Sequence, residues 1–311
     1  MHRAAFCMPG SSFSIVDVAY FGSNANNPNL AGLTFADDQA GYLAGVIAGG
    51  VAAGGSKKVG VIGGLPIPPV MRFITGFAHG VAYSCVDCTT TTIYCPFGGA
   101  TEATTGLACP GEFADAAFGV GVAQYLIGQG VDVIFGAGGP TGSTGIKYAS
   151  APMGTPIDFQ WATSFTGTKV EAATPFVVGV DQDEYYTTFE SGAWAGAAKL
   201  ITSALKRVDV GVSTSIEQYL AGNVGGGNLM LNATNGGVGF APAHDASAVV
   251  TSAITAEAQD VYDLMAAGMF STRVAVRRTQ PAVTAHAAFA GWRRFGMRTA
   301  RGMAGGVRSV R

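Results

Sequence analysis

Two stretches of this sequence carry side chains whose types and spacing can do chemistry. Asp181, Asp183 and Glu184 gather three carboxylates behind the short apolar run FVVGV at 176–180. Such a cluster can hold a divalent cation, act as general acid and base, or accept hydrogen bonds from a ligand's hydroxyl and N–H groups. Residues 131–147, VDVIFGAGGPTGSTGIK, pass from a strand pattern into a loop rich in glycine and hydroxyls. Gly136, Gly138, Gly139, Pro140 and Gly142 interrupt regular structure and let a ligand approach the backbone. Thr141, Ser143 or Thr144 is placed to cap a following helix and aim its free N–H groups at that ligand.

The glycine loop fails three sharper patterns. A dinucleotide fingerprint needs glycine where Thr141 stands, and so does a nucleophile elbow around Ser143. A phosphate loop ends in Gly-Lys-Ser/Thr, whereas Lys147 follows Ile146. No nucleophile with a base and no phosphate-binding lysine accompanies the acidic cluster, so binding is favoured over catalysis. His2, His79, His244 and His286 are scattered without metal-ligand spacing, and no metal or cofactor is expected. Cys85, Cys88, Cys95 and Cys109 surround the segment 96–111. A zinc site would want a second close pair, and a redox Cys-x-x-Cys should open a helix, whereas Thr89–Thr92 favour a strand. Disulfides stapling a surface segment fit better if the chain is exported, with three pairings open.

The elements that must position these groups alternate. Strands are expected at 14–18, 30–35, 58–62, 89–94, 131–135 and 176–180, and helices at 36–53, 70–82, 113–129 and 141–150. Asp37 and Asp38 suit the first turn of the helix at 36–53 by charge. Beyond Asp181 the pattern predicts a helix over 186–205, a short strand at 208–212, a loop with strand pieces at 223–239 and a helix at 246–267. Strands alternating with helices imply an α/β fold with parallel sheets wound on both faces.

Composition bounds the function. The 311 residues are 48% apolar and 12% charged, ample for burying cores. Nine of the 18 Lys and Arg fall in 273–311, so residues 1–272, with all 20 Asp and Glu, carry a net −11. An acidic body argues against nucleic acid as a partner. The arginine-rich tail at 277–311 lacks amphipathic periodicity and is expected to stay disordered. No stretch approaches the roughly 20 apolar residues of a membrane-spanning helix, and the start, MHRAAFCMPG, lacks the apolar core of a secretory signal.

Several motifs in one order go further. FADDQAGYLAG (35–45), KKVGVIGG with FITGFAHGV after the prolines (57–81), GVDVIFGAGGPTG (130–142), VVGVDQD (177–183) and SALKRVDV (203–210) resemble the basic-membrane-protein family of substrate-binding proteins. These are the purine-nucleoside-receptor type that serves ABC transporters, and the resemblance spans roughly 11–276. It implies a type I periplasmic-binding-protein fold: lobe one from 11–56 and 187–276, lobe two from 57–186 with an insertion at 96–111, and a nucleoside in the cleft between. In the family a further part of lobe one and a lipid-anchored cysteine precede the point where this chain begins, so lobe one is expected to be partial; Cys7 sits in no lipobox. Residue by residue, the resemblance implies that Asp17 faces the cleft and that Gly138, Gly139 and Thr141 form the loop beside the base. It implies that Asp181 hydrogen-bonds the ligand and that Lys206 lies near the sugar. It implies a non-enzymatic protein without cofactor, outside the cell membrane or anchored to it, whose partners are a small ligand and an ABC permease or a receptor's signalling part.

Overall fold

Short β-prone runs alternate with longer runs rich in alanine and glycine, and that alternation sets the architecture. The computed structural model describes residues 2–20, 28–111, 113–160, 164–223 and 226–274; the basic tail expected at 277–311 lies outside them. A short helix α1 (His2–Cys7) leads to β1 (Phe13–Val16), β2 (Leu30–Phe35), α2 (Asp37–Ala52), β3 (Lys58–Gly63), α3 (Pro68–Ser84) and β4 (Thr89–Tyr94). Then come α4 (Ala116–Gly128), β5 (Val133–Ala137), α5 (Pro140–Ser150) and a hairpin of β6 (Pro156–Gln160) and β7 (Ser164–Thr168). The chain continues through β8 (Phe176–Asp181), β9 (Leu200–Lys206), α6 (Val208–Leu220), β10 (Gly227–Leu231), β11 (Val238–Phe240) and α7 (Ser252–Ala266).

The larger sheet has the order β11-β9-β8-β5-β3-β4, parallel throughout except for the edge strand β11. A parallel sheet needs cover on both faces. Successive side chains therefore split between two cores: Val59, Val61, Val133 and Phe135 meet α2, α3 and α7 on one face, and Ile62, Ile134 and Val177 meet α4 and α5 on the other. A smaller parallel sheet, β1-β2-β10, stands beside it. It is thinly covered, with one face on a cluster around Leu33, Phe35 and Leu231 and the other around Ala5, Tyr20 and Leu30. Of the 13 residues of α6, Gly211 alone is buried.

The helices α2 and α3 touch backbone to backbone. A Cβ on Gly41 or Gly45 of α2 would fall against the carbonyl oxygens of Phe73 and Phe77, and one on Gly76 or Gly80 of α3 against those of Asp38 and Tyr42. Glycine at four-residue spacing on both helices makes the pairing possible. No described helix is long and apolar enough to cross a membrane.

The segment after Asp181 departs from expectation. No helix forms over 186–205. Glu190 and Ser191 take left-handed backbone, both at φ 56°, which breaks a right-handed helix. Two 3-10 turns, at Glu190–Gly192 and Ala197–Lys199, deliver the chain into β9. Nearly all of β9 is buried, so it shows no alternation to read. The strand expected at 208–212 is the first turns of α6, with Asp209 at its start. Chain division differs as well. β9 and β11, expected in lobe one, pair into the six-stranded sheet, and α2 packs on α3 and α7 rather than on the small sheet. Apolar side chains on both faces suit β9 to an interior position beside β8, which leaves β1, β2 and β10 as the smaller sheet.

Cys85 is bonded to Cys88, joining the end of α3 to the start of β4, and Cys95 to Cys109, closing the segment after β4. That segment is self-contained. The Glu102 carboxylate accepts from the backbone N–H groups of Thr104 and Thr105 and from the Thr105 hydroxyl, and these bonds hold it below the usual range even though burial opposes them.

Candidate functional site

Each parallel strand ends at the same side of its sheet, and the polar residues gather there. Asp17 follows β1, Phe35 and Asp37 mark the passage from β2 to α2, Asp181 ends β8 and Lys206 ends β9. In open α/β sheets this is the end at which ligands bind. Backbone geometry turns two of the carboxylates. Asp17 and Asp181 take left-handed conformations, at φ 62° and 65°, which aspartate tolerates better than most residues. Asp17 is held in place by its N–H, which donates to the Leu33 carbonyl at 2.8 Å.

Lys206 is the centre of the arrangement. Its Nζ lies 2.5 Å from the Asp17 carboxylate and 3.5 Å from Oδ1 of Asp37. The rings of Phe35 and Phe73 flank it, with centroids 5.1 and 5.9 Å away. Burial works against the ammonium, but the combined charge of Asp37, Asp181 and Asp17 outweighs it and holds Lys206 above its ordinary range. Lys206 therefore stays a cation.

The carboxylates answer in the opposite sense. Burial pushes Asp37 up to about 7, helped by the charges of Asp17 and Asp181, while Lys206 and Arg72 pull it back. Asp181 is raised as well, by the protein crowded around its carboxyl and by Asp17, against the pull of Lys206. Its surface remains open to solvent, so water offsets part of that effect. Behind Asp181, Glu184 is buried and lifted to about 7, with the Ser143 and Thr188 hydroxyls and the Val180 N–H restraining it. Its Oε1 accepts from Val180 at 3.0 Å, and its own N–H donates to Ser203 Oγ at 3.1 Å. Asp183 turns away to meet His244 Nε2 at 2.8 Å. The acidic cluster of the sequence thus splits three ways, and among the described residues no group of His, Cys, Asp and Glu is arranged to hold a metal ion.

The glycine loop has a different place. Gly138 presses on Gly64 at the end of β3, where a Cβ would lie 2.6 Å from the Gly64 nitrogen. Gly139, at φ 55°, makes the turn into α5, which starts at Pro140 with no side-chain cap. Thr141 is fully buried. Its hydroxyl accepts from the Asp115 N–H at 2.8 Å, and its own N–H donates to the Phe113 carbonyl at 2.9 Å. Asp115 in turn caps α4 by accepting from Phe118. The loop therefore ties the starts of α4 and α5 together, and Ser143 beside Glu184 links it to the Asp181 end of β8.

Of the six residues singled out in the sequence, Asp17, Asp181 and Lys206 converge, whereas Gly138, Gly139 and Thr141 form a neighbouring wall whose threonine is already engaged. Asp209, three residues after Lys206, pairs with Arg207. Asp37, Phe35 and Phe73 were not singled out. The signal for Asp37 was its position, immediately after a strand and opening a helix, as with the other strand-end carboxylates.

Comparison with known proteins bears on this arrangement. Residues 5–97 and 101–266 match the family Bmp, described as PnrA-like ABC transporter substrate-binding proteins. The ABC transporter nucleoside-binding protein BmpA of Lactococcus lactis is 29% identical over 257 residues, covering 82% of this chain and 63% of that protein. A lipoprotein of Pyrococcus furiosus is 26% identical over 239 residues, covering 75% of this chain and 49% of its own length. The chain thus spans 49–63% of the length of these relatives. In three dimensions it is similar to an ABC transporter solute-binding protein of Aeropyrum pernix, with a TM-score of 0.63 at 22% identity over 88% of this chain and 74% of the other. That likeness is one of fold, the type I periplasmic-binding-protein-like α/β arrangement.

Proposed function

Because this chain belongs to the Bmp family of PnrA-like ABC transporter substrate-binding proteins, we propose that it takes up a purine nucleoside at the carboxyl ends of its parallel strands. The observation that carries the reading is the Lys206 ammonium, set between Asp17 of the small sheet and Asp37 of α2, with Asp181 contributing to the same field. Carboxylates accept hydrogen bonds from ribose hydroxyls, and an ammonium donates to them. The rings of Phe35 and Phe73 beside Lys206 offer apolar faces to a base. Three carboxylates around one ammonium repel a phosphate, so the ligand is the neutral nucleoside and not the nucleotide. The Lactococcus lactis relative, named for nucleoside binding, supports this choice.

Capture would serve an ABC-type transporter. The ligand-bound form is presented to that transporter's membrane part, on the outer side of the membrane, where two disulfides persist. Isothermal titration with guanosine, adenosine, inosine and guanosine monophosphate tests the reading. Nucleoside binding that Asp181→Ala and Lys206→Met weaken, together with silence from the monophosphate, is the expected result. Equal binding of the monophosphate, or variants that bind nucleoside like the parent, would refute it.

A further inference from the structure

Asp37 is the group at this site that ligand recognition alone leaves without a task. It opens α2 with its side chain almost wholly buried, and its Oδ1 has no hydrogen-bond partner; the nearest cation, Lys206 Nζ, is 3.5 Å away. The charged groups that face it are Lys206 from β9, Asp17 after β1, Asp181 from β8 and Arg72 from α3. Its neighbour Asp38 is engaged elsewhere, accepting from the Thr272 hydroxyl.

One ammonium thus serves three carboxylates that are unequally placed. Asp17 and Asp181 keep access to water, which stabilises their charge, and Asp17 also holds the shorter contact to Lys206. Asp37 has neither advantage. A buried carboxylate with a distant, shared counter-ion sheds its charge most easily by taking up a proton.

We propose that Asp37 is a positioning residue of the ligand site that draws Lys206 into place and takes up a proton when a ligand is captured. The inference rests on the reading that the ligand lies against Asp17, Asp181 and Lys206. A ligand there engages Lys206, so the attraction that keeps Asp37 ionised weakens. The proton comes from solvent and lands on Oδ1, the oxygen without a partner. In the free protein Asp37 already stands at about 7, so the exchange falls within the neutral range.

Capture coupled to proton uptake weakens as pH rises. Inosine titrated calorimetrically in two buffers of different ionisation heat, at about pH 6, 7 and 8.5, should show proton uptake. Its affinity should fall about tenfold across that range, the consequence of one further decade of proton affinity in the bound state. Asp37→Asn should flatten the profile and abolish the uptake, and Asp37→Glu should restore a slope. In parallel, carbon NMR of aspartate-labelled free protein should show one carboxyl titrating near neutrality that is missing from Asp37→Asn. A parent with no such carboxyl, or an Asn variant with the parent's pH profile and proton count, overturns the proposal. If guanosine, adenosine and inosine all stay silent while that carboxyl titrates as described, the nucleoside reading falls and the proton site at Asp37 stands on the carbon spectrum.

Discussion

Asp37 also makes a prediction about folding that needs no ligand. Its folded-state value of about 7 stands above the 3.8 of an unstructured aspartate, so the folded protein binds the proton more tightly than the unfolded chain does. Between those two values the folded state carries the extra proton, and stability falls as pH rises through the window before levelling off above about pH 7. For a difference of this size the loss between about pH 5 and 8 amounts to about 2–3 kcal/mol. Asp37→Asn removes the titration, while Lys206 keeps Asp17 and Asp181. The assay is denaturant unfolding followed by far-ultraviolet circular dichroism at several pH values, comparing variant with parent. The difference in unfolding free energy should move in the variant's favour by about 2–3 kcal/mol from pH 5 to pH 8. Glu184, also raised to about 7, titrates in both proteins and cancels in the difference. A difference that stays flat within about 0.5 kcal/mol would mean that Asp37 ionises as an ordinary surface carboxylate, with neither burial nor Lys206 acting on it.

Other perturbations test other parts of the structure. Lys206→Met leaves Asp37 buried without its nearest cation; about 3–5 kcal/mol of stability should be lost near pH 8 and less near pH 5, where Asp37 is already protonated, as read from the same unfolding curves. Gly45→Ala puts a methyl against the Phe77 carbonyl oxygen and should cost about 1–3 kcal/mol or more, whereas Gly54→Ala, with its nearest atom 3.8 Å away, should change the melting temperature little. Replacing Cys95 and Cys109 together by serine opens a loop with a sequence separation of 14 and should cost about 3 kcal/mol; an unchanged melting point would show that the bridge is absent from the folded protein. Thr141→Val removes the acceptor for the Asp115 N–H and should cost about 1–2 kcal/mol with no change in nucleoside affinity, and a large affinity loss at unchanged stability would instead place Thr141 against the ligand.

Much of the parallel scaffold was legible because strand and helix signatures alternate cleanly up to Asp181. The strands at 30–35 and 89–94 have the expected bounds, and the remaining early elements shift by a few residues at their ends. Reading failed where the periodicity carries no information. Leu200–Lys206 is buried on both faces, so its side chains, Lys206 apart, are apolar or small without alternation, and Ala193, Ala195, Ala197 and Ala198 just before it made the whole look helical. The hairpin of β6 and β7 was missed because its alternation over five residues is short and its inner side chains, Ile157 and Phe159, are few. At the site, the convergence of Asp17, Asp181 and Lys206 was carried by family resemblance, since nothing local in SIVDV or SALKRVD states that they meet. Asp37 was visible only as a charge suited to a helix start. Its burial comes from tertiary packing, and long-range packing leaves no local pattern. Thr141 shows the converse: a hydroxyl in a promising glycine loop is consumed by the scaffold, because the Asp115 N–H needs an acceptor.

The thin covering of the small sheet has a consequence for the order in which the site comes apart. Asp37, Asp181 and Lys206 stand on a frame whose strands are sandwiched by helices on both faces, whereas Asp17 stands on three strands backed by small clusters and by α6, of which Gly211 alone is buried. Elements with few buried apolar neighbours open locally at far smaller free energies than the rest of a fold. Backbone amides of β1 should therefore exchange with deuterium well before those of β8 and β9, and the link between Lys206 and Asp17 becomes a latch between a jaw that yields and one that does not.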